Sequence, residues 1–156
     1  MELKQYKGDL LTSKADVICH QTNCLGIMGG GVALQIRRKW PQVYEEYVKY
    51  CEQFQDNPEK LLGDVQMCSI GNGQYVANIF GQCYCGTDKR YTDYEALKKG
   101  FAEVANWVKS GRVQSVAFPK LFGCGLAGGD WSIVSVMIED AFKHTDAVVE
   151  IWEFQG

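Results

Sequence analysis

Residues 16–33, DVICHQTNCLGIMGGGVA, decide the fold, because they pass from a short apolar strand through a glycine-rich loop into a helix. The apolar start of this stretch, from Val17 to Cys19, is typical of a strand that is buried in a sheet. The helix predicted after Gly31 ends before Pro41, because proline cannot continue a helix that precedes it. A strand followed at once by a helix is the building unit of α/β proteins.

The rest of the chain continues this alternation of strands and helices. The clearest helix covers residues 93–109, where apolar side chains recur at spacings of three and four. Residues 64–70 and 75–80 are strand-like, and Gly71-Asn72-Gly73 between them predicts a hairpin. Further strands are predicted at residues 3–6, 116–118 and 148–154, and further helices after Pro41 and over residues 131–142. With no repeat, linker or low-complexity tract, we expect one domain over residues 1–156, with helices on a mostly parallel or mixed sheet.

Composition narrows the classes of function. No apolar run approaches the ~20 residues that a membrane span needs, and no signal-peptide-like segment is present, so a cytoplasmic protein is expected. The net charge of −3 and the lack of a Lys/Arg block argue against a nucleic-acid partner. A monomer is expected, without a cofactor.

The cysteines indicate free thiols in a reducing compartment. Their number, seven, is odd, and Cys83 and Cys85 lack the two-residue spacing of a metal knuckle. No metal site is therefore predicted, and the cysteines are interpreted as small buried apolar residues.

Two glycine-rich loops carry the chemistry. One contains Gly29, Gly30 and Gly31, and the other covers residues 122–129, FGCGLAGG; each lies between a strand and a helix. Glycines allow peptide N–H groups to approach an anion closely, and a helix N-terminus adds partial positive charge. Two such loops are suited to holding a diphosphate without lysine. Neither is a Walker loop or a true dinucleotide fingerprint, so hydrolysis of a nucleoside triphosphate is disfavoured.

These pieces together resemble the macrodomain signature in its proper order. They are GDLL at residues 8–11, DVICHQTN at 16–23, GGGVA at 29–33, and the stretch from Phe118-Pro119 to Gly129. The chain is most similar to the ADP-ribose-1″-phosphate phosphatase branch and to the terminal ADP-ribose glycohydrolase branch. The resemblance implies a three-layer α/β/α sandwich with a mixed central sheet, with ADP-ribose or a derivative bound across its crest and an ADP-ribosylated protein as a further partner.

The resemblance also implies site residues. Asp9 would accept a hydrogen bond from the adenine amino group, Asn23 would face the distal ribose, and the two loops would enclose the diphosphate. The ligand-binding set is Asp9, Leu10, Gln21, Asn23, Gly29, Gly30, Gly31, Val32, Phe80, Gln82, Phe122, Gly123, Cys124, Gly125, Leu126, Ala127 and Gly128. The catalytic candidates, which would orient the attacking water, are His20, Asn23 and Asp130.

Several of these residues have structural alternatives. Asp9 and Asp130 can each cap the turn or helix that follows, and His20 can be a buried, hydrogen-bonded structural histidine. Asn23 can bond to its own loop, and Phe122 can be a packing residue. Cys124 invites a nucleophile hypothesis, which the absence of a nearby histidine in the sequence disfavours.

Two positions at which this chain departs from the glycohydrolase branch distinguish the two enzyme hypotheses, a phosphatase and a lysine-dependent glycohydrolase. That branch uses a lysine where this chain has Gln82 and an aspartate where it has Ala127. Neither present side chain can form or resolve a lysyl-sugar adduct, so a phosphatase is favoured over a lysine-dependent glycohydrolase. The alternative is a non-catalytic module that reads or sequesters ADP-ribose or a related NAD-derived nucleotide.

Overall fold

The computed structural model describes residues 1–155, and its centre is one six-stranded sheet. The strands are β1 (Glu2–Lys7), β2 (Val17–Thr22), β3 (Val65–Gly71), β4 (Gln74–Phe80), β5 (Ser115–Pro119) and β6 (Val148–Glu153). Their order is β1-β6-β5-β2-β4-β3. Neighbouring strands run parallel except β3 and β4, which form the predicted hairpin and pair antiparallel. The sheet is therefore mixed, as predicted.

Four helices cover the sheet, close to their predicted positions. They are α1 (Gly31–Lys39), α2 (Pro41–Glu52), α3 (Tyr94–Lys109) and α4 (Trp131–Phe142). Pro41 occupies the first turn of α2, where a missing N–H costs nothing. Asp93 and Asp130 precede α3 and α4, and each accepts a hydrogen bond from a backbone N–H of the first turn.

The helices form two layers, one on each face of the sheet. Alternate residues of β2 point to opposite faces: Val17 and Cys19 pack with α3 and α4, whereas Ile18 packs with α1 and α2. Both faces are apolar, because each is covered by a pair of helices. The three-layer α/β/α sandwich is confirmed.

The topology brings the two glycine-rich loops together. Strands β4, β2 and β5 are neighbours and parallel, so their carboxyl ends, at Phe80, Thr22 and Pro119, lie at the same edge of the sheet. The first loop leaves β2 and the second leaves β5. Ligands of open α/β sheets bind outside the carboxyl ends of the strands, and this edge is therefore where a site is expected.

The structure corrects the interpretation of the cysteines at one position. Five cysteines are buried and Cys124 is half-buried, but Cys85 is exposed in the segment between β4 and α3. Cys85 belongs to neither of the two apolar clusters that cover the faces of the sheet. Among residues 1–155 no group of three or more His, Cys, Asp or Glu side chains is placed to hold a metal ion.

A membrane-spanning helix is likewise missing from the described residues. None of the helices combines the length and the apolar composition that crossing a bilayer requires.

Candidate functional site

A cavity of about 420 Å³ opens at the carboxyl ends of β2, β4 and β5. Its floor is formed by the last residues of β2, and the two glycine-rich loops form opposite walls. The loops come within contact distance of each other, because a Cβ placed on Gly30 would lie 3.4 Å from Cδ1 of Leu126. The cavity is thus a cleft between two backbone-rich walls.

Most residues of the predicted set line this cavity. From β2, the first loop and the segment after β4 these are His20, Gln21, Asn23, Gly29, Gly30, Gly31, Val32 and Gln82. From the second loop they are Phe122, Gly123, Gly125, Leu126 and Ala127. Their common position follows from the shared edge of β2, β4 and β5.

Three predicted residues lie in packed surroundings away from the cavity lining. Leu10 and Phe80 are buried in the core between the sheet and α1 and α2, where the ring of Phe80 packs against Tyr47. Gly128 packs against the backbone of Arg90: a Cβ there would lie 3.3 Å from the Cα of Arg90.

Cys124 also lies beside the cavity lining. Its thiol donates to the carbonyl oxygen of Phe122, at 3.1 Å. Burial, assisted by the charge of Asp130, raises its pKa to about 11, so the thiol is protonated at neutral pH. A nucleophilic role is disfavoured by this geometry as well as by the sequence.

Asp9 and Asp130, the two predicted carboxylates, are both used as caps in this structure. The carboxylate of Asp9 accepts from the backbone N–H of Leu11, at 2.9 Å. That of Asp130 accepts from the backbone N–H and the hydroxyl of Ser132, at 2.9 and 2.7 Å. These bonds to Ser132 hold the pKa of Asp130 below its usual value. Neither aspartate lines the cavity: the contact of Asp9 to a ligand stays a prediction, and for Asp130 the geometry supports the alternative of a helix cap.

Sequence reasoning missed several lining residues. They include Thr22, Cys85, Gly86, Thr87, Lys120 and Leu121. Thr22 is the last residue of β2 and could have been found by extending that strand. The segment that contains Cys85 carries no periodicity or motif, and its position over the cavity depends on how β4 and α3 are placed.

Asn23 shapes the first loop. Its Oδ1 accepts from the backbone N–H of Leu25, at 2.9 Å, and its Nδ2 donates to the carbonyl oxygen of Ile27, at 2.8 Å. The loop then enters α1 through Gly31, whose φ of +55° favours glycine. Asn23 is therefore a loop-forming residue that also lines the cavity.

The second loop is tied to the segment that precedes α3. The hydroxyl of Thr92 donates to the carbonyl oxygen of Gly123, at 2.6 Å, and the backbone N–H groups of Tyr91 and Thr92 bond to the carbonyl oxygen of Ala127. Thr92 also accepts a hydrogen bond from Nε2 of Gln21, at 2.9 Å. A single side chain from β2 thus connects the floor of the cavity with the second loop.

His20 is buried on the cavity floor. Its Nε2 lies 2.5 Å from Oδ1 of Asn78, and its Nδ1 has no hydrogen-bond partner among residues 1–155. Burial lowers the pKa of His20 to about 4, although the bond to Asn78 opposes this shift. The ring is consequently neutral at physiological pH and offers a lone pair.

The cavity suits an anion that is bound through peptide groups. Within the described part of the chain its lining contains no aspartate or glutamate, and Lys120 is its single lysine or arginine. The Lys120 ammonium lies 3.8 Å from the Glu153 carboxylate, which offsets its charge. The N-terminus of α1, at Gly31 in the lining, adds partial positive charge to this wall of the cavity.

Comparisons with known proteins agree with this architecture. The DNA ADP-ribosyl glycohydrolase of Thermus aquaticus is 28% identical over 153 residues, which cover 98% of this chain and 41% of that protein. The ADP-ribose 1″-phosphate phosphatase of Debaryomyces hansenii is 36% identical over 103 residues, which cover 56% of this chain and 58% of that protein. This chain thus spans about two fifths of the glycohydrolase and under two thirds of the phosphatase.

A solved structure and a family model complete the comparison. The structure of the macrodomain of Thermus aquaticus DarG matches with a TM-score of 0.78 and 27% identity, over 99% of this chain and 98% of that one. The family model described as Macro domain matches residues 19–138, which hold most of β2, both glycine-rich loops and most of α4. The chain belongs to the Macro domain family.

Proposed function

We propose that this protein binds ADP-ribose or an ADP-ribose derivative in the cavity and hydrolyses it, and that the favoured reaction is removal of a 1″-phosphate. One observation carries the proposal: two glycine-rich loops from neighbouring parallel strands face each other across a cleft whose described lining contains no carboxylate. A diphosphate can be held there from both sides by peptide N–H groups.

The chemistry of the lining supports this ligand. Peptide N–H groups and the N-terminus of α1 stabilise negative charge, and a carboxylate in the same cleft would repel a diphosphate. Polar side chains on the floor, His20, Gln21 and Thr22, each have a buried atom without a hydrogen-bond partner among residues 1–155. Buried polar atoms of this kind are satisfied by water or by ligand hydroxyls, and a ribose supplies such hydroxyls.

The hydrolytic step uses His20 as the acceptor for a water molecule. The neutral ring can accept a proton from water through its lone pair, and the loops stabilise the charge that develops on the phosphoryl oxygens. The products are ADP-ribose and inorganic phosphate. Asn23 holds the loop that positions the distal ribose.

The two named relatives support hydrolysis but differ in the bond that is broken. In this chain Gln82 occupies the position at which the resemblance places a lysine, and Ala127 the position at which it places an aspartate. Asp130 is the aspartate nearest to Ala127 in the sequence, and it caps α4 by accepting hydrogen bonds from Ser132. Because Gln82 and Ala127 cannot take part in a mechanism with a lysyl-sugar adduct, phosphate removal is favoured.

A non-catalytic reader is the second candidate. The same lack of a lining carboxylate supports it, because no aspartate or glutamate in the described cavity can serve as a general base. A reader would need the cavity and its loops but would not depend on the lone pair of His20.

An assay of the released products distinguishes a hydrolase from a non-catalytic reader. The protein is incubated in turn with ADP-ribose-1″-phosphate, a mono-ADP-ribosylated protein and ADP-ribosylated DNA, and release of phosphate and of ADP-ribose is followed. Phosphate release that is lost in His20→Ala while ADP-ribose binding is retained supports the phosphatase. Binding without turnover on any of the three supports the reader, and calorimetry that detects no binding of ADP-ribose contradicts both.

A further inference from the structure

A line of hydrogen bonds crosses the sheet from α2 to His20. The side-chain Nε2 of Gln66 donates to the backbone carbonyl oxygen of Glu46 in α2, at 3.1 Å. The Nδ2 of Asn78 donates to Oε1 of Gln66, at 3.1 Å. Nε2 of His20 then lies 2.5 Å from Oδ1 of Asn78.

The register of the strands creates this line. His20 on β2 is the direct partner of Asn78 on β4, and Asn78 is the direct partner of Gln66 on β3. Side chains at paired positions lie on the same face of a sheet, about 5 Å apart, which is within reach of one hydrogen bond between each pair. Asn78 and His20 are both buried, so water does not compete for these bonds.

The backbone carbonyl oxygen of Glu46 determines which group donates and which accepts in each hydrogen bond of the line. A backbone carbonyl oxygen can only accept, so Gln66 must turn its NH₂ group towards Glu46 and its oxygen towards Asn78. Asn78 must then present its NH₂ group to Gln66 and its oxygen to His20. An amide oxygen can only accept, so the proton of His20 must reside on Nε2.

Cys68 is a second neighbour of Asn78. Its sulfur lies 3.6 Å from Nδ2 of Asn78 and accepts the second N–H of that amide. Rotating the amide by half a turn would place the oxygen between the sulfur and Oε1 of Gln66, which is an acceptor. The orientation of Asn78 is thus held by Gln66, and the sulfur of Cys68 satisfies the second N–H of the amide.

We propose that Gln66 and Asn78 are positioning residues that hold His20 in the tautomer with its proton on Nε2 and leave the lone pair of Nδ1 for a water molecule or a ligand hydroxyl. The assignment of the tautomer stands on this geometry alone. Its use in hydrolysis rests on the proposed function.

The tautomer can be read directly by NMR. The chain contains only two histidines, His20 and the exposed His144, so a two-bond ¹H–¹⁵N correlation spectrum of histidine-labelled protein has two ring systems to assign. At pH 7 the wild-type spectrum should show His20 with a protonated Nε2 and a bare Nδ1. The exposed His144 provides the second ring system for comparison.

A pair of substitutions at Gln66 tests whether this residue, through Asn78, determines the tautomer of His20. Glutamate at this position (Gln66→Glu) still accepts from Asn78, so the tautomer of His20 should be unchanged. Lysine (Gln66→Lys) can only donate, so Asn78 is expected to turn its oxygen towards residue 66 and its NH₂ group towards His20, and the proton should move to Nδ1. Matching thermal unfolding of the two variants would show that both remain folded.

The outcomes separate this inference from the proposed function. A wild-type His20 with its proton on Nδ1, or a Gln66→Lys spectrum identical to that of the wild type, overturns the positioning role whatever the activity. The expected shift of the proton, with phosphate release from ADP-ribose-1″-phosphate reduced roughly tenfold to hundredfold in Gln66→Lys but not in Gln66→Glu, supports both. The expected shift in a protein that never releases phosphate or ADP-ribose supports the tautomer assignment and contradicts the hydrolytic function.

Discussion

The hydroxyl oxygen of Tyr47 lies 2.7 Å from both the backbone carbonyl oxygen and the side-chain Oδ1 of Asn23. One buried hydroxyl of α2 therefore holds the loop that follows β2 at two atoms. Because Oδ1 of Asn23 also accepts from the backbone of its own loop, Tyr47 connects the core directly to a wall of the cavity.

Removal of this hydroxyl should weaken both stability and binding. Tyr47→Phe leaves the buried oxygens of Asn23 without this donor, and we expect the free energy of unfolding to fall by about 1–3 kcal/mol. ADP-ribose should bind more weakly, because the first loop loses an anchor. Denaturant unfolding and calorimetry provide the measurements, and Tyr44→Phe, at a half-buried position of the same helix, is the control that should change neither.

The second loop should not tolerate a side chain at Gly129. A Cβ there would lie 2.6 Å from the carbonyl oxygen of Gly123, a backbone atom that cannot move without distorting the loop. Gly129→Ala is expected to lower the free energy of unfolding by about 1–3 kcal/mol and to weaken ADP-ribose binding. Gly125→Ala is the matched control, because a Cβ at Gly125 meets no atom within 4 Å, and its unfolding should be close to that of the wild type.

His20 should make stability depend on pH in a defined window. Burial lowers its pKa from 6.5 to about 4, so between these values the unfolded chain binds a proton that the folded protein does not. Stability due to this group is present above pH 6.5 and declines as the pH falls to about 4, by on the order of 3 kcal/mol. The decline, measured by denaturant unfolding across this pH range, should be smaller in His20→Gln than in the wild type.

Asp130 is expected to act through the helix cap and not through catalysis. Asp130→Ala should lower the temperature of unfolding, because the backbone N–H of Ser132 loses its acceptor, while hydrolysis should stay near the wild-type rate. Asp93→Ala removes the corresponding cap of α3 and provides the comparison. A loss of hydrolysis in Asp130→Ala that Asp93→Ala does not share would instead assign Asp130 to the reaction.

Asp9 is predicted to contact the adenine of the ligand. Asp9→Ala should weaken ADP-ribose binding by about 1–3 kcal/mol, because a charge-assisted hydrogen bond is lost. Asp9→Asn can still accept from the backbone of Leu11, so it separates the loss of the cap from the loss of charge. Titration calorimetry of both variants gives the answer, and an unchanged affinity in Asp9→Ala would remove Asp9 from the site.

The sequence by itself determined the strands, the helices and the position of the two loops. These features depend on local signals: the apolar run before His20, the spacing of apolar residues in α3, Pro41 at a helix start and the glycines before α1. Most of the site residues that the family resemblance implies line one cavity in the structure, because both loops follow parallel strands.

Tertiary structure alone decided which side chains meet. The alignment of His20, Asn78 and Gln66 depends on the register of three strands, and the contact between Tyr47 and Asn23 depends on how α2 packs on the sheet. No local pattern encodes such pairings, because hydrogen bonds between distant segments form only when the whole core fixes their separation. For the same reason the exposure of Cys85 followed from the path of the chain between β4 and α3 and not from its residue type.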